Sequence, residues 1–448
     1  MFQLINFLSV ISNISYVFLY ESCNFIFFHR KYLFFISNIV EKLTKINVLY
    51  VKLFQGIAFH QSFISDEVNS IILKYTDNAT WNKSDIDYDT LDSVLKTYNI
   101  NSAYDLSPIN SGMISLVFKV TTDDKKDIII KLKRKNIDQQ LNNSINDFLS
   151  FLYLLNFVPY VKQFEIYKLC LKNIEIIQSQ LDFEKELQNT MKIKENFKNI
   201  DYVEIPTVYP EATTKYINVI VMSYINGVKI NDIQKSDYLD FAKSIIKFGL
   251  VSTLLHGCSH GDLHPGNILF IKEHTSDNSI LYKIGVIDFG IMYHIQENTR
   301  KTFFDLSCIL VNGTTEETTE NMINSGAFIV PIENIKKLKT SNPVSYNKLY
   351  KSMYNIVHLV KTKSKSIFST IFDAIKELSL FLKENNSISR CENTPYLSIS
   401  EDLLKVQLCL SMTIGITFKL CQDVDYYDFA DNLLKELFHL NLFDDTND

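Results

Sequence analysis

Cysteine pairs, a basic surplus, internal repeats and an uninterrupted apolar N-terminal run are all missing from this chain. Its seven cysteines, Cys23, Cys170, Cys258, Cys308, Cys391, Cys409 and Cys421, are odd in number and show no paired metal-ligand spacing. Neither a disulfide framework nor a zinc site is indicated, and a reducing, intracellular setting is the simpler expectation. A formal charge of −6 and a pI near 5.9 provide no general basic field for nucleic acid. The local cluster Lys131, Lys133, Arg134 and Lys135 reads as a strand with its solvated end. No lengthy repeat or low-complexity tract appears. The segment Met1 to Phe28 has no basic region of the kind that opens a secretory signal, and too little arginine for an ordinary mitochondrial transit peptide. Gln3, Asn6, Asn13, Asn24, Ser9, Ser12 and Ser15 interrupt it, so an apolar run of about 18 residues, the length needed to span a bilayer, is not available.

What is present is apolar bulk and a set of polar motifs. Hydrophobic residues make up 46% of 448 positions, enough for two or three packed units and too much for a largely disordered chain. The N-terminal segment is rich in Phe, Leu, Ile and Tyr, with Glu21 as its single acidic residue before His29-Arg30-Lys31. Two readings stand side by side for it: a buried or partner-covered helix, and an interfacial membrane anchor. From Ile39 to about Trp81 the periodicity is helical, and Lys52 and Gln55 share a face, which by itself describes a solvated polar stripe. Thr76 to Asp89 reads as a linker, with a domain boundary near residue 100.

Beyond residue 100 the period becomes strand-like. Ile114 to Val120 and Asp127 to Lys133, joined by the polar turn Thr121 to Lys126, predict an antiparallel hairpin. Before it, Pro108 to Met113 occupies the place of a nucleotide-covering loop, with Gly112 as its single glycine. Lys131 lies in the apolar run Ile128-Ile129-Ile130-Lys131, where burial would demand a charged partner and solvent exposure at the strand end is the competing reading. A helical insertion follows from about Gln139 to Ile174. Over Ile177 to Phe197, Phe183, Leu187 and Met191 mark one helical face, and Asp182, Glu186 and Asn189 another. Glu186 is the carboxylate expected to pair with Lys131, with Glu184 and Glu195 as neighbouring alternatives. Val219 to Met222 and the following Ser223 to Gly227 read as a strand entering a hinge, so Met222 and Tyr224 are expected beside an adenine ring. From Asp232 onward the pattern is mainly helical, apart from a strand at Leu281 to Ile287 and the polar turn Lys272 to Ser279.

The most informative stretch is His260-Gly261-Asp262-Leu263-His264-Pro265-Gly266-Asn267, followed by Asp288-Phe289-Gly290. An aspartate five residues before an asparagine lets one loop present a base to a nucleophile and an amide oxygen to Mg²⁺, while a second aspartate at the end of an apolar strand holds metal between phosphates. His264 is expected to pack the loop through a hydrogen bond rather than bind metal.

These residues resemble the UbiB family of atypical protein-kinase-like proteins. Lys52-Leu53-Phe54-Gln55 is similar to that family's K-x-G-Q signature, which lies over the nucleotide cleft, and Gln180-Leu181-Asp182 is similar to its E-x-D signature. The resemblance implies regulatory roles for Lys52, Gln55 and Asp182. It places Lys131, Glu186, Asp262, Asn267 and Asp288 on the phosphate-lysine, helix-C, catalytic-loop and metal positions, and implies ATP and Mg²⁺ as cofactors. It also implies a link to ubiquinone and other isoprenoid lipids, with a membrane lipid or a protein substrate as partner. Three departures stand out: Phe54 replaces a glycine, Gln180 replaces a glutamate, and the family's alanine-rich loop is here Asn110-Ser111-Gly112-Met113. The expected architecture is α+β and two-lobed: a helical extension over 1–100, a small antiparallel-sheet lobe over 101–226 and a large helical lobe over 227–448. Two rival functions remain, a small-molecule phosphotransferase of the aminoglycoside or choline kinase type and a nucleotide-binding scaffold without turnover.

Overall fold

Alternating burial along one strand organises the first half of the molecule. The computed structural model describes residues 2–27, 31–46, 49–50, 67–68, 71, 79–100, 106–155, 174–175, 177–276, 279–362, 378, 381–382 and 396–421. Lys52 and Gln55 lie outside these residues, as does the stretch 156–173 of the expected insertion. The chain forms two compact units, one from Met1–Lys194, Pro206–Ile225 and Asp288–Ile291, the other from Glu195–Ile205, Asn226–Ile287 and Met292–Asp448.

In the first unit, β1 (Asn110–Ser111), β2 (Ser115–Thr121) and β3 (Asp127–Lys133) are followed along the chain by β4 (Val203–Glu204), which belongs to the second unit, and β5 (Val219–Ser223). The sheet order is β1-β2-β3-β5, antiparallel throughout. The hairpin register runs from Ser115↔Lys133 to Thr121↔Asp127, and Lys125 closes its turn at a φ of 62°. Because side chains alternate along a strand, Ile128, Ile130 and Leu132 pack with Leu116, Phe118 and Val120 on one face, against Leu91, Val94 and Leu95 of the helix Tyr88–Thr97. Lys131 therefore belongs to the opposite face. There Phe183 and Leu187 of the helix Phe183–Asn196 pack with Met113, Ile114, Ile220 and Met222.

The expected linker differs in detail. Its described residues include a 3₁₀ turn at Lys83–Asp85, and Asp87 accepts from Thr90 N at 3.3 Å to cap the helix Tyr88–Thr97. Asp85 and Asp87 accept backbone N–H groups at the starts of this turn and this helix, as their side-chain acceptors allow.

The N-terminal helices α1 (Phe2–Phe27) and α2 (Tyr32–Ile46) show inverted polarity. Glu21 is buried, held by Lys42 Nζ at 2.6 Å and Asn38 Nδ2 at 2.9 Å, beside Val17, Ile39 and Leu43. Leu8, Ile11, Tyr16, Phe18, Leu19, Tyr20, Ile26 and Phe27 are exposed instead.

The second unit contains more strand than its sequence pattern suggests. β6 (Cys258–His260) pairs with β9 (Met292–His294), and β7 (Ile268–His274) pairs antiparallel with β8 (Ile280–Val286), which β4 joins in parallel. Ile268, Phe270 and Ile271 are buried, so β7 is a strand that the helical reading of this region missed. A short apolar run fits either period, and its pairing with β8 decided the outcome. The helices Glu297–Asn312, Thr315–Asn324, Ile332–Ser341 and Pro343–Thr362 surround a second core, and the Asn312–Thr315 interruption is the cap where Thr314 Oγ1 accepts from Glu317 N. A small pair, β10 (Ile329–Val330) with β11 (Ser398–Ile399), was also unforeseen. Among the described residues, Glu401–Leu420 is the one helix long and apolar enough to cross a membrane, and 44% of its most apolar window is buried in the protein. It packs on the helix Tyr238–Leu250, where a Cβ on Gly249 would meet the Thr413 side chain at 2.6 Å.

Candidate active site

Lys131 stands between two carboxylates. Its ammonium donates to Glu186 Oε1 at 2.5 Å and to Asp288 Oδ2 at 3.0 Å, partners 55 and 157 residues away in sequence. β3 fixes the lysine, and its central place in the sheet prevents the side chain from escaping as a strand-end lysine would. Lys131 is 9% exposed and Glu186 3% exposed, so solvent screens the pair little. Burial alone would depress the lysine, but Asp288 and Glu186 outweigh it and hold the ammonium above its ordinary pKa. Burial pushes the Glu186 carboxyl up to about 7, with Lys131 opposing and Asp288 adding to the rise. Burial is the main source of that rise, and the excess of one negative group in the cluster adds to it.

The helix bearing Glu186 is held at three points. Asp182 Oδ1 accepts from Lys185 N at 3.0 Å, the geometry of an N-cap, which ends the expected Ile177–Phe197 helix short at Phe183. Glu186 grips Lys131. Asn189 Nδ2, one turn further, donates to Phe289 O at 2.9 Å, within Asp288-Phe289-Gly290. Asn189 carried no assigned role from sequence, although its spacing from Asp182 and Glu186 marked the shared face. Met191, expected on the apolar face with Phe183 and Leu187, is exposed instead. Gln180 lies near the same point: a Cβ on Gly290 would stand 3.7 Å from Glu186 Oε2 and 3.8 Å from Gln180 Cγ.

In the second unit, Asp262 and Asn267 share one braced loop. Buried His260 accepts from Asp262 N through Nδ1 at 3.1 Å. His264 Nδ1 accepts from Gly266 N at 3.1 Å and its carbonyl from Asn267 N at 2.9 Å, the loop-packing role expected for it. Asn267 Nδ2 donates to Asp262 O at 3.0 Å, which leaves Oδ1 as the amide's acceptor end. Ile287 N donates to Asn267 O at 3.2 Å, tying the loop to the residue that precedes Asp288.

The remaining expected residues lie around the sheet of the first unit. Gly112 N donates to Ser115 O at 2.9 Å, and a Cβ there would meet Ser115 O at an ordinary 3.6 Å. Met222 is buried on β5 opposite Ile129. Tyr224 N donates to Asp127 O at 3.2 Å, and Lys119 Nζ sits 3.8 Å from the centre of the tyrosine ring. Asp182 has the cap just described, and Lys52 and Gln55 fall outside the described residues.

Residues 85–322, more than half of the chain, match the ABC1 atypical kinase-like domain. The chain belongs to the ABC1/UbiB family. The probable serine/threonine-protein kinase abkB of Dictyostelium discoideum is 25% identical over 364 residues, 76% of this chain and 51% of its own length. A probable protein kinase UbiB from Cellvibrio japonicus is 26% identical over 187 residues, 39% of this chain and 32% of its own. Among solved structures, the Rv3197–erythromycin complex from Mycobacterium tuberculosis is 14% identical and covers 85% of this chain and 90% of that one, at a TM-score of 0.45. This ABC1/UbiB chain spans between a fifth and about half of the length of the curated relatives it matches. Its α+β fold is kinase-like.

Proposed function

We propose that this ABC1/UbiB protein binds Mg-ATP and transfers or hydrolyses its terminal phosphoryl group. The observation that carries the reading is Lys131 held between Glu186 and Asp288: a buried ammonium, pre-oriented by one carboxylate and shared with a second, is what a triphosphate needs as a counter-charge. In this reading Lys131 contacts the α- and β-phosphates. Asp262 orients the attacking hydroxyl or water. Gly112 covers the phosphates, and Met222 and Tyr224 flank the base. Asn267 and Asp288 hold Mg²⁺ through hard oxygen donors, and the turned amide of Asn267 fits that role. Among the described residues no three His, Cys, Asp or Glu side chains gather as a metal cage. Mg²⁺ held by Asn267 and Asp288 would supply charge neutralisation to the phosphoryl groups. Lys52, Gln55 and Asp182 are regulatory in the same reading, and the division at residues 100 and 226 into extension, small lobe and large lobe belongs to it.

We further infer that the outward apolar face of α1 and α2 rests on a lipid surface. From Leu8 to Phe27 the one charged residue faces inward, and the basic sequence His29-Arg30-Lys31 between the helices suits anionic headgroups. An isoprenoid lipid, as in ubiquinone metabolism, is the ligand or downstream interest consistent with that surface.

The deciding experiment is Mg-dependent thermal shift and turnover with ATP. Asp288→Asn should abolish ATP stabilisation; unchanged stabilisation would contradict the assignment. Binding without turnover, with or without liposomes, would mark a scaffold, and ADP release dependent on an added sugar or amine would mark a small-molecule phosphotransferase. Gly112→Ala has room to fold, so labelled phosphate transfer to a protein hydroxyl should appear in the natural protein or in that variant. Its absence from both sinks the idea that Gly112 makes this chain more kinase-like than its relatives.

A further inference from the structure

Arg134 is buried to a degree that the bland reading of a solvated strand end does not explain. Its side chain is 11% exposed, and every N–H of its guanidinium is engaged within the first unit. Nε donates to Gly112 O at 3.1 Å, and Nη2 to Ser111 Oγ at 2.6 Å and Ala79 O at 3.5 Å. Nη1 donates to Thr80 O at 3.0 Å and Asp85 Oδ2 at 2.8 Å. The two connected segments also touch directly, since Ala79 N donates to Ser111 O at 2.7 Å. Arg134 itself is fixed at the end of β3 by its N–H to Ile114 O at 2.8 Å, three residues beyond Lys131.

We infer that Arg134 is a positioning residue that clamps the loop Asn110–Met113 to the chain at Ala79–Asp85, so that nucleotide affinity is set partly by the segment that follows the Lys52/Gln55 signature. This rests on the reading of the first unit as a nucleotide-binding unit. Gly112 lacks a positive φ and has space for a Cβ, so glycine itself does not dictate the loop's position. A planar fork bonded on both sides does. Lysine keeps the charge and loses the fork, because its three donors radiate from one atom. A displacement of the chain at Ala79 is transmitted through two bonds from the backbone and one from Asp85 to the two bonds that hold Ser111 and Gly112.

The test measures the dissociation constant of a fluorescent ATP analogue with Mg²⁺, and the melting temperature without nucleotide, for Arg134→Lys, Asp85→Asn, Ser111→Ala and the Asp85→Asn/Ser111→Ala pair, with Asp288→Asn as control. Asp85 and Ser111 share Arg134, so a clamp that acts as a unit makes their effects on affinity non-additive. Arg134→Lys and Asp85→Asn should each weaken analogue binding about tenfold, the scale of one charged hydrogen bond, with KM for ATP raised and kcat retained. A lowered melting temperature with unchanged affinity would assign Arg134 a structural role only and overturn the clamp. Additive losses from Asp85→Asn and Ser111→Ala would overturn it as well. Binding by the natural protein that is lost in Asp288→Asn but untouched in Arg134→Lys refutes the clamp alone, whereas no binding by the natural protein refutes the nucleotide reading and the clamp together.

Discussion

Glu186 and His256 titrate in opposite senses over overlapping ranges, and each can be isolated by one substitution. The Glu186 carboxyl, raised by burial from 4.5 to about 7, takes up a proton in the folded protein that the unfolded chain does not yet hold. Its contribution to stability is therefore present below the unfolded value and is lost as pH rises through about 7. His256 is the reverse. Burial first, and then Arg300, depress it from 6.5 to about 4, and its Nε2 has no hydrogen-bond partner among the described residues. Stability from the neutral imidazole is full above the unfolded value and falls as pH drops from 6.5 toward about 4. Chemical unfolding between these limits should show Glu186→Gln losing the downward slope toward neutrality, and His256→Phe, which keeps an aromatic ring against Phe197, losing the acid-side decline. A natural-type slope in either variant contradicts its assignment. At this scale the sequence was informative where chemistry is unusual. A lysine inside an isoleucine run asks for a carboxylate, and the one at Glu186 was named from helical phase. Arg134 was read as solvated because its partners, two carbonyls among 79–80, a carbonyl at Gly112 and the side chains of Ser111 and Asp85, leave no mark on its own neighbourhood in sequence.

The helix Phe183–Asn196 is the element on which the first unit's cluster depends. Asp182 begins it, so Asp182→Ala should lower stability by about 1 kcal/mol in urea unfolding, the usual cost of an N-cap. Asparagine caps about as well as aspartate. If Asp182→Asn restores stability yet changes ATP turnover, the carboxylate has the regulatory charge that the family signature implies; if both return to natural values, the cap is its whole contribution. Asn189→Ala removes a hydrogen bond to the buried Phe289 carbonyl and should cost about 1 kcal/mol while weakening ATP binding. The β2–β3 hairpin was legible because β-branched residues flank a polar turn, but β7 was not. Its run Ile268-Leu269-Phe270-Ile271 carries no period of its own, and its strand character comes from pairing with β8 and from an isolated antiparallel bridge between Phe270 and Val228.

For the whole molecule, the acidic balance and the uncharged outer face of α1 make different predictions. With a net charge of −6 there is no general attraction to anionic lipid, so adhesion must come from apolar insertion with local help from the basic stretch at 29–31. Vesicles of anionic and of neutral phospholipid should both sediment with the full chain, the anionic ones more. Leu19→Ser with Ile26→Ser should abolish both. Retention of vesicle binding by that double variant would show that the surface lies elsewhere. Composition located this segment but left its partner open, because an aromatic-rich helix buried in a core and one lying on lipid have the same residues.

The seat of the last described helix limits how this chain can change. Glu401–Leu420 crosses the Tyr238–Leu250 helix at a glycine, and the threonine hydroxyl and methyl at 413 occupy the space where any larger residue at 249 would stand. Volume at these two positions is a shared quantity: an alanine at 249 is tolerable only with a smaller partner at 413, and relatives should trade size between them. The same keyed crossing argues against withdrawing the helix into a bilayer, since hydrocarbon would have to replace a fitted surface on which the bare glycine backbone depends.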